Sequence, residues 1–311
     1  MPMPAIFEGR LSIPAIASPM FIISNPDLVI AECRAGVVGA FPSLNARPSG
    51  VLEQWLERIT GALSARDAPF AVNLIVHRSN LRLAEDLALC VKYRVPVVIT
   101  SLGAKEDVTQ AIHAYGGIVF HDVIDDGFAR KAVEKGADGL IAVATGAGGH
   151  AGTLSPFALV AEIRRWFDGP LALAGAIATG DGILAARAMG ADLGYIGSAF
   201  IATEEANADA AYKRMITESS ATDILYSNLF TGVHGNYLRP SVVAAGLDPD
   251  ALATSDPSKM DVEAMMHGAK AWRDIWGCGQ GVGAVTEVVP AAALIDRLKR
   301  EYAAAQARLR T

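Results

Sequence analysis

Of the chain's six histidines, His150 is the one best placed for chemistry. It follows Gly146-Ala147-Gly148-Gly149, a stretch too flexible to be core, just after the apolar run Gly139–Ala144. An imidazole there can take a proton or steady a developing anion, because its ordinary pKa lies near neutral pH. The plainer role is a bond to a nearby carbonyl. Two glycine turns say what else gathers beside it: Ala174-Gly175-Ala176-Ile177 and Gly194-Tyr195-Ile196-Gly197-Ser198-Ala199. Glycine lets backbone N–H groups approach an anion closely, and a short helix that follows turns its positive end to the same point. One such glycine usually only turns a corner. The matched pair, Gly175-Ala176 and Gly197-Ser198, predicts a phosphate site.

The other histidines carry less. His121 ends an apolar run beside Asp122 and is a candidate to line the same site; His234 would reach it if its segment folds over. His77 and His267 have no partner at metal-ligand spacing, and His113 reads as a surface residue of a helix. No zinc-type spacing exists, so no metal is expected. Cys33, Cys90 and Cys278 lie far apart and read as reduced thiols.

These residues need a scaffold to bring them together. Short apolar runs fit strands at Ala15–Met20, Val37–Phe41, Phe70–Ile75, Val95–Thr100, Ile118–Val123, Gly139–Ala144, Leu171–Ala174 and Leu193–Ile196. Most are apolar throughout, as parallel strands buried on both faces must be. Helical spacing lies between them, for instance Pro26–Arg34, Ser49–Ala65, Leu81–Tyr93 and Glu204–Glu218. Eight strand–helix units predict a closed α/β barrel, the (β/α)₈ or TIM barrel, in preference to a doubly wound open sheet. The strand ends then read Ser18-Pro19-Met20, Pro42-Ser43, Asn73, Ser101-Leu102-Gly103, His121-Asp122, Gly146 to His150, Gly175-Ala176-Ile177 and Gly197-Ser198-Ala199. In this fold ligands bind at those ends.

Past the eighth unit the pattern breaks. Residues 221–275 hold prolines, loops and helix fragments (Val242–Ala245, Met260–Met266), expected to form a smaller, mainly helical insertion over the barrel mouth. Residues 1–220 and 276–311 would form the barrel, with Gly279-Gln280-Gly281-Val282-Gly283 leading into a closing helix, Ala291–Leu309. A formal charge of −6 without a basic stripe argues against nucleic acid as a partner. No run is long and apolar enough for a membrane, and no secretory leader is legible, so a cytoplasmic enzyme of small molecules is expected, with a homodimer as the assembly to test for.

Taken together, these motifs resemble the nitronate monooxygenases, formerly 2-nitropropane dioxygenases, of the FMN-binding barrel superfamily. The resemblance spans nearly the whole chain. It rests on Ala17-Ser18-Pro19-Met20, Val72-Asn73-Leu74, Ala147-Gly148-Gly149-His150-Ala151-Gly152, Ala174-Gly175-Ala176-Ile177, Gly197-Ser198-Ala199-Phe200 and Gly279-Gln280-Gly281-Val282-Gly283. The Gly-Gly-His turn combined with Gly-Gln-Gly-Val-Gly is its most specific part. It implies FMN across the barrel mouth, with Ser18, Pro19, Met20, Asn73, Ser101, His121, Gly148, Gly149 and Gln280 around it. The phosphate would sit on Gly175, Ala176, Gly197 and Ser198. His150 would be the catalytic residue, steadying an alkyl nitronate or removing the α-proton of a neutral nitroalkane. O₂ would be the co-substrate, and a carbonyl compound and nitrite the products. One departure stands out. Many relatives carry a lysine where this chain has His121-Asp122; a carboxylate there would oppose an anionic flavin, unless Lys105 or His121 substitutes.

The alternative within the superfamily is an NAD(P)H-dependent FMN reductase of the quinone reductase or enoyl-acyl-carrier-protein reductase type. A flavin-free sugar-phosphate aldolase or isomerase would share the phosphate glycines, but the strand ends hold no lysine and Asp122 as their only carboxylate. A noncatalytic FMN-binding protein would leave His150 without a task.

Overall fold

A computed structural model describes residues 3–48, 50–254 and 274–310. The predicted strands form as β1 (Ala15–Ala17), β2 (Ala40–Pro42), β3 (Ala71–Ile75), β4 (Val97–Ser101), β5 (Ile118–Val123), β6 (Gly139–Val143), β8 (Leu171–Ala174) and β9 (Leu193–Ile196). A two-residue strand, β7 (Gly149–His150), interrupts the series. Helices α1 (Pro26–Arg34), α2 (Val51–Ala62), α3 (Leu83–Lys92), α4 (Glu106–His113), α5 (Asp126–Glu134), α6 (Pro156–Arg164), α7 (Gly180–Met189) and α8 (Ser198–Ile201) alternate with them. The strands are all parallel, in the order β1-β9-β8-β6-β5-β4-β3-β2. The ring closes where Ile16 bridges Val38, Ala17 N–H donating to the Val38 carbonyl at 2.8 Å. Closure leaves no strand edge exposed for pairing with another chain. The fold is the (β/α)₈ barrel.

Side-chain alternation along each strand decides what faces the barrel axis. Ile16, Val38, Ala40, Ala71, Val97, Ile99, Phe120, Ile141, Ala172 and Leu193 pack into one interior cluster, with Phe7 plugging the bottom. The intervening residues, such as Val72, Val98 and Val119, pack outward against the helices. Local signals fix where the helices begin. Asn25 caps α1 by accepting from the N–H groups of Asp27 and Leu28, and Pro26 occupies the first turn, where a missing N–H costs nothing. The C-terminal helix (Ala291–Leu309) lies across α7 so closely that a Cβ at Gly180 would stand 2.1 Å from the Tyr302 nitrogen.

The observed elements depart from expectation in two places. The helix expected from Glu204 forms only as α9 (Ala210–Glu218), because Thr203 instead bridges Val289 and Glu204 N–H donates to the Val289 carbonyl. Within residues 221–254, read as loops and helix fragments, the structure also builds a hairpin: β10 (Ile224–Ser227) and β11 (Gly235–Leu238). β11 pairs on its other edge with β7, giving a three-stranded sheet over the barrel mouth. The expected fragment Val242–Ala245 is observed as α10 (Arg239–Ala244), and the expected helix Met260–Met266 lies outside the described residues. Among the described residues no helix is long and apolar enough to cross a membrane.

Candidate functional site

The strand ends enclose a cavity of about 670 Å³. Thirteen of the residues singled out from sequence line it together: Ser18, Pro19, Met20, Asn73, Ser101, His121, Gly148, Gly149, His150, Gly175, Ala176, Gly197 and Ser198. Its floor follows from the alternation. One step above the apolar interior layer, the inward positions become Asn73 on β3, Ser101 on β4, Asp122 on β5 and Tyr195 on β9. These form a connected polar layer. Asn73 Nδ2 donates to Ser101 Oγ at 2.7 Å and to the Ile99 carbonyl at 3.0 Å. Ser101 Oγ in turn donates to Asp122 Oδ2 at 2.6 Å. Burial pushes the Asp122 carboxyl up to about 6, the Ser101 bond opposing that rise. Burial and the nearby Asp122 charge also push the Tyr195 phenol up, so it stays neutral.

His121 lies on the same strand with the opposite orientation. Though it borders the cavity, its Nδ1 is paired with Thr100 Oγ1 at 2.7 Å, and burial pushes its pKa down to about 4. The strand-five group that faces the cavity floor is therefore Asp122. Lys105 does not substitute: it is exposed at the start of α4 and does not line the cavity. Among the described residues no lysine or arginine lines it at all.

The glycine turns meet on the opposite wall, and their backbone shows why glycine is needed. Gly175 has φ +144°, and a Cβ on it would come within 2.9 Å of the Thr145 carbonyl oxygen. Ala176, next along, is held at φ +54°, a left-handed conformation that non-glycine residues rarely adopt. Such strain collects at sites where backbone must face a ligand. The Gly279–Gly283 segment packs against this turn backbone to backbone. A Cβ at Gly279 would stand 2.7 Å from the Gly146 oxygen, and one at Gly281 would stand 2.8 Å from the Ala176 oxygen. Gly279 N–H donates to Ser198 Oγ at 2.8 Å, and Gln280 N–H to the Gly146 carbonyl at 2.8 Å. Gln280 thus ties the loops together through its backbone; its side chain is exposed and does not line the cavity.

His150 enters on β7, whose pairing with Gly235 and Asn236 of β11 fixes an otherwise loose glycine loop. Asn236 Nδ2 anchors that loop further by donating to the Ala147 carbonyl at 2.6 Å. His150 Nε2 lies 2.9 Å from Thr231 Oγ1, and Thr231 Oγ1 donates its own proton to the Val233 carbonyl at 3.0 Å. In that arrangement Nε2–H is the donor of the His150–Thr231 pair. Burial pushes the His150 pKa down to about 4, which keeps the ring neutral at physiological pH. His234 itself is exposed and stacked on Tyr226, its carbonyl accepting from Ala151 N–H. His77 pairs with Ser79 and His113 with Asp138, both away from the cavity, and His267 lies outside the described residues. Cys278, behind the glycine segment, is buried and its thiol is pushed up to about 12, which leaves it inert as a nucleophile.

Sequence reasoning passed over Tyr195, Thr231 and Asn236. Tyr195 was within reach, standing two residues after the inward Leu193. Thr231 and Asn236 were not, since only the β7–β11 pairing brings them to His150 and its loop.

The mouth of the cavity is apolar, with Phe21, Leu44, Leu102, Ile124 and Phe128 along it. Ile124 and Phe128 remain 42% and 50% exposed. Large apolar groups left in water at the rim of a cavity mark a surface that a ligand covers.

Known proteins are similar to this chain in sequence and fold. The chain is 25% identical over 339 residues to a nitronate monooxygenase of Paraburkholderia phytofirmans, covering 93% of this chain and 92% of that one. The solved nitroalkane oxidase of Streptomyces ansochromogenes superposes with a TM-score of 0.82 at 25% identity, over 98% of this chain and all of that one. FabK of Thermotoga maritima does so with a TM-score of 0.79, also at 25% identity, over 98% and 96%. Residues 79–301 match the family model for nitronate monooxygenase, from the end of β3 into the C-terminal helix. That match covers most of the chain, with the Gly-Gly-His turn and the glycine segment inside it, and the chain belongs to the nitronate monooxygenase family of oxidoreductases.

Proposed function

We propose that the chain oxidises alkyl nitronates with O₂ to a carbonyl compound and nitrite, using FMN held in the strand-end cavity. The observation that carries this reading is the meeting of His150 with the Gly175-Ala176 and Gly197-Ser198 turns in one cavity. Its volume, about 670 Å³, lies within the range of small-molecule sites. Gly175 and Ala176 line the cavity with positive φ, and the polar floor offers groups for a ring to rest on. These features fit FMN.

In this reading the phosphate would rest on backbone N–H groups of the two turns, since among the described residues no lysine or arginine lines the cavity. Ser18, Pro19 and Met20 would pack beside the ring, and Asn73 and Ser101, whose protons go to Ile99, Ser101 and Asp122, would meet it through their oxygens. FMN, when bound, accepts the electrons that leave the nitronate and passes them to O₂. The chain's own residues bind, orient and exclude water. His150, neutral and held by Thr231, faces the substrate's nitro-bearing carbon, steadying a nitronate or accepting the α-proton of a nitroalkane. The apolar rim takes the substrate's alkyl tail.

Anaerobic flavin reduction tests this directly. FMN-reconstituted protein mixed with an alkyl nitronate should bleach rapidly, while NADH or NADPH should bleach it little, and admitting O₂ should release nitrite. Rapid bleaching by NADH with none by nitronates would replace this reading with the FMN reductase one. A chain that takes up no FMN would refute the flavin assignment itself.

A further inference from the structure

Asp122 is the one carboxyl group among the described residues lining the cavity, and none of those lining residues is a lysine or arginine. Its neighbours can be named from every side. On β4, Ser101 Oγ donates to it at 2.6 Å and is itself held by Asn73 of β3. On β9, the Tyr195 phenol is neutral. On its own strand His121 is turned to Thr100, and across the cavity on β7 stands His150. Both imidazoles are pushed down to about 4, so neither supplies positive charge near neutral pH. A part-buried carboxyl that accepts a hydrogen bond and has no counter-ion among the described lining residues sits close to the balance between its two protonation states. Negative charge arriving in the same cavity must tip that balance toward the acid.

We propose that Asp122 is a proton-storing residue on the cavity floor, which takes up one proton from solvent when electrons enter the bound flavin and returns it when they leave. This rests on the FMN reading above. When two electrons enter with one proton on the ring, one net negative charge remains in the cavity, and the carboxylate opposes it. Protonation of Asp122 removes the opposition, so reduction draws a second proton. Ser101 sets where this happens: its hydrogen bond favours the carboxylate and holds the proton uptake to lower pH. Asp122 acts on the flavin through its charge and is a positioning residue in that sense.

The test is the midpoint potential of the FMN-loaded protein, measured by dye-equilibrated titration from about pH 5 to about pH 9. In the wild type a steep segment is expected, in which each pH unit changes the reduction equilibrium tenfold more than in Asp122→Asn. That difference equals about 30 mV per unit for a two-electron couple. Asp122→Asn should lack the steep segment and hold the higher potential on the alkaline side. Ser101→Ala, with the opposing hydrogen bond removed, should move the segment to higher pH. Identical slopes in wild type and Asp122→Asn overturn the proposal while leaving the flavin reading intact. If Asp122→Asn does not fold, an unmoved segment in Ser101→Ala overturns it instead. A wild-type chain that binds no FMN overturns both.

Discussion

Gly148→Ala should loosen the cofactor site without disturbing the barrel beneath it. A Cβ on Gly148 would stand 2.8 Å from the Gly279 nitrogen, 3.0 Å from the Cys278 carbonyl carbon and 3.1 Å from Ser198 Oγ. Two of these are backbone atoms, so no flexible side chain can swing aside to make room. Overpacking of this kind costs about 1–3 kcal/mol. Relief requires the Gly279–Gly283 segment to move off the Gly146–Gly149 loop, which breaks the Gly279 N–H bond to Ser198 Oγ, a further contribution of about 1 kcal/mol. Ser198 belongs to the proposed phosphate turn, so part of this cost should appear in cofactor binding. A share of about 1–3 kcal/mol weakens FMN binding roughly 5- to 150-fold. Flavin fluorescence quenching gives the Kd, and a melting curve of the FMN-free protein gives stability. Gly61→Ala is the control. It lies in α2 with nothing within 4 Å of its would-be Cβ, so it should keep the wild-type Kd and gain up to about 1 kcal/mol from helix propensity. A Gly148→Ala protein that melts earlier yet binds FMN as tightly as wild type would refute the coupling of this contact to the phosphate turn.

Other consequences are equally open to measurement. His150→Ala should lower kcat/KM for a neutral nitroalkane by about 100-fold or more while FMN content stays unchanged; a loss below about tenfold would remove it from proton transfer. Because burial holds His150 near 4, its contribution should persist at neutral pH and disappear as acid protonates the ring, which a pH–rate profile would show. Propionate 3-nitronate brings a carboxylate into a cavity that already holds Asp122 and, among its described lining residues, no lysine or arginine, so its kcat/KM should fall at least about tenfold below that of an alkyl nitronate of similar length. Parity between the two would contradict the uncharged-tail preference. Glu32, fully enclosed on α1, has its carboxyl raised well above 4.5 by desolvation and then by the Glu205 charge. The folded chain therefore holds that proton more tightly than the unfolded one, and stability drops as pH climbs above 4.5, by about 1.4 kcal/mol per unit until the folded pKa is passed. Glu32→Gln should flatten that decline, and denaturant midpoints that keep the wild-type pH dependence would disprove it.

The barrel was legible because each of its eight strands is a short apolar run bounded by glycine, proline or a polar residue, with a helical period between neighbours. Ile118–Val123, Leu171–Ala174 and Leu193–Ile196 are observed with the bounds read from sequence, and Ala291–Leu309 likewise. Missed bounds cluster where a tertiary contact outweighs local propensity. Thr203 and Glu204 have the composition of a helix start but are taken by Val289 into a bridge. The β7–β10–β11 sheet was hidden for a different reason. Gly149-His150 is too short to show alternation, and Gly235-Asn236-Tyr237-Leu238 begins with two residues that disfavour strands. Only the pairing between them, about 85 residues apart in the chain, makes either one a strand.

The same distinction separates the parts of the site. Residue type and position after a strand were enough to gather thirteen candidates around one cavity, because every β-strand of a barrel delivers its C-terminal end to the same face. Type and position do not say which of two neighbours points inward. At His121-Asp122 the histidine is the more obvious ligand by chemistry, and reading by type selects it. Alternation selects otherwise: Phe120 packs in the interior cluster, so Asp122, two residues on, must share its side, while His121 borders the cavity with its ring tied to Thr100. The same count carries Ile99 to Ser101, Ala71 to Asn73 and Leu193 to Tyr195, which is why these four polar groups meet on one floor. Placing the apolar interior layer first, and only then counting two residues toward the mouth, turns a list of strand-end residues into a prediction of which ones face a ligand. Applied here it puts the Asp122 carboxyl, with no lysine or arginine among the described lining residues, on the floor of the site in place of the His121 imidazole.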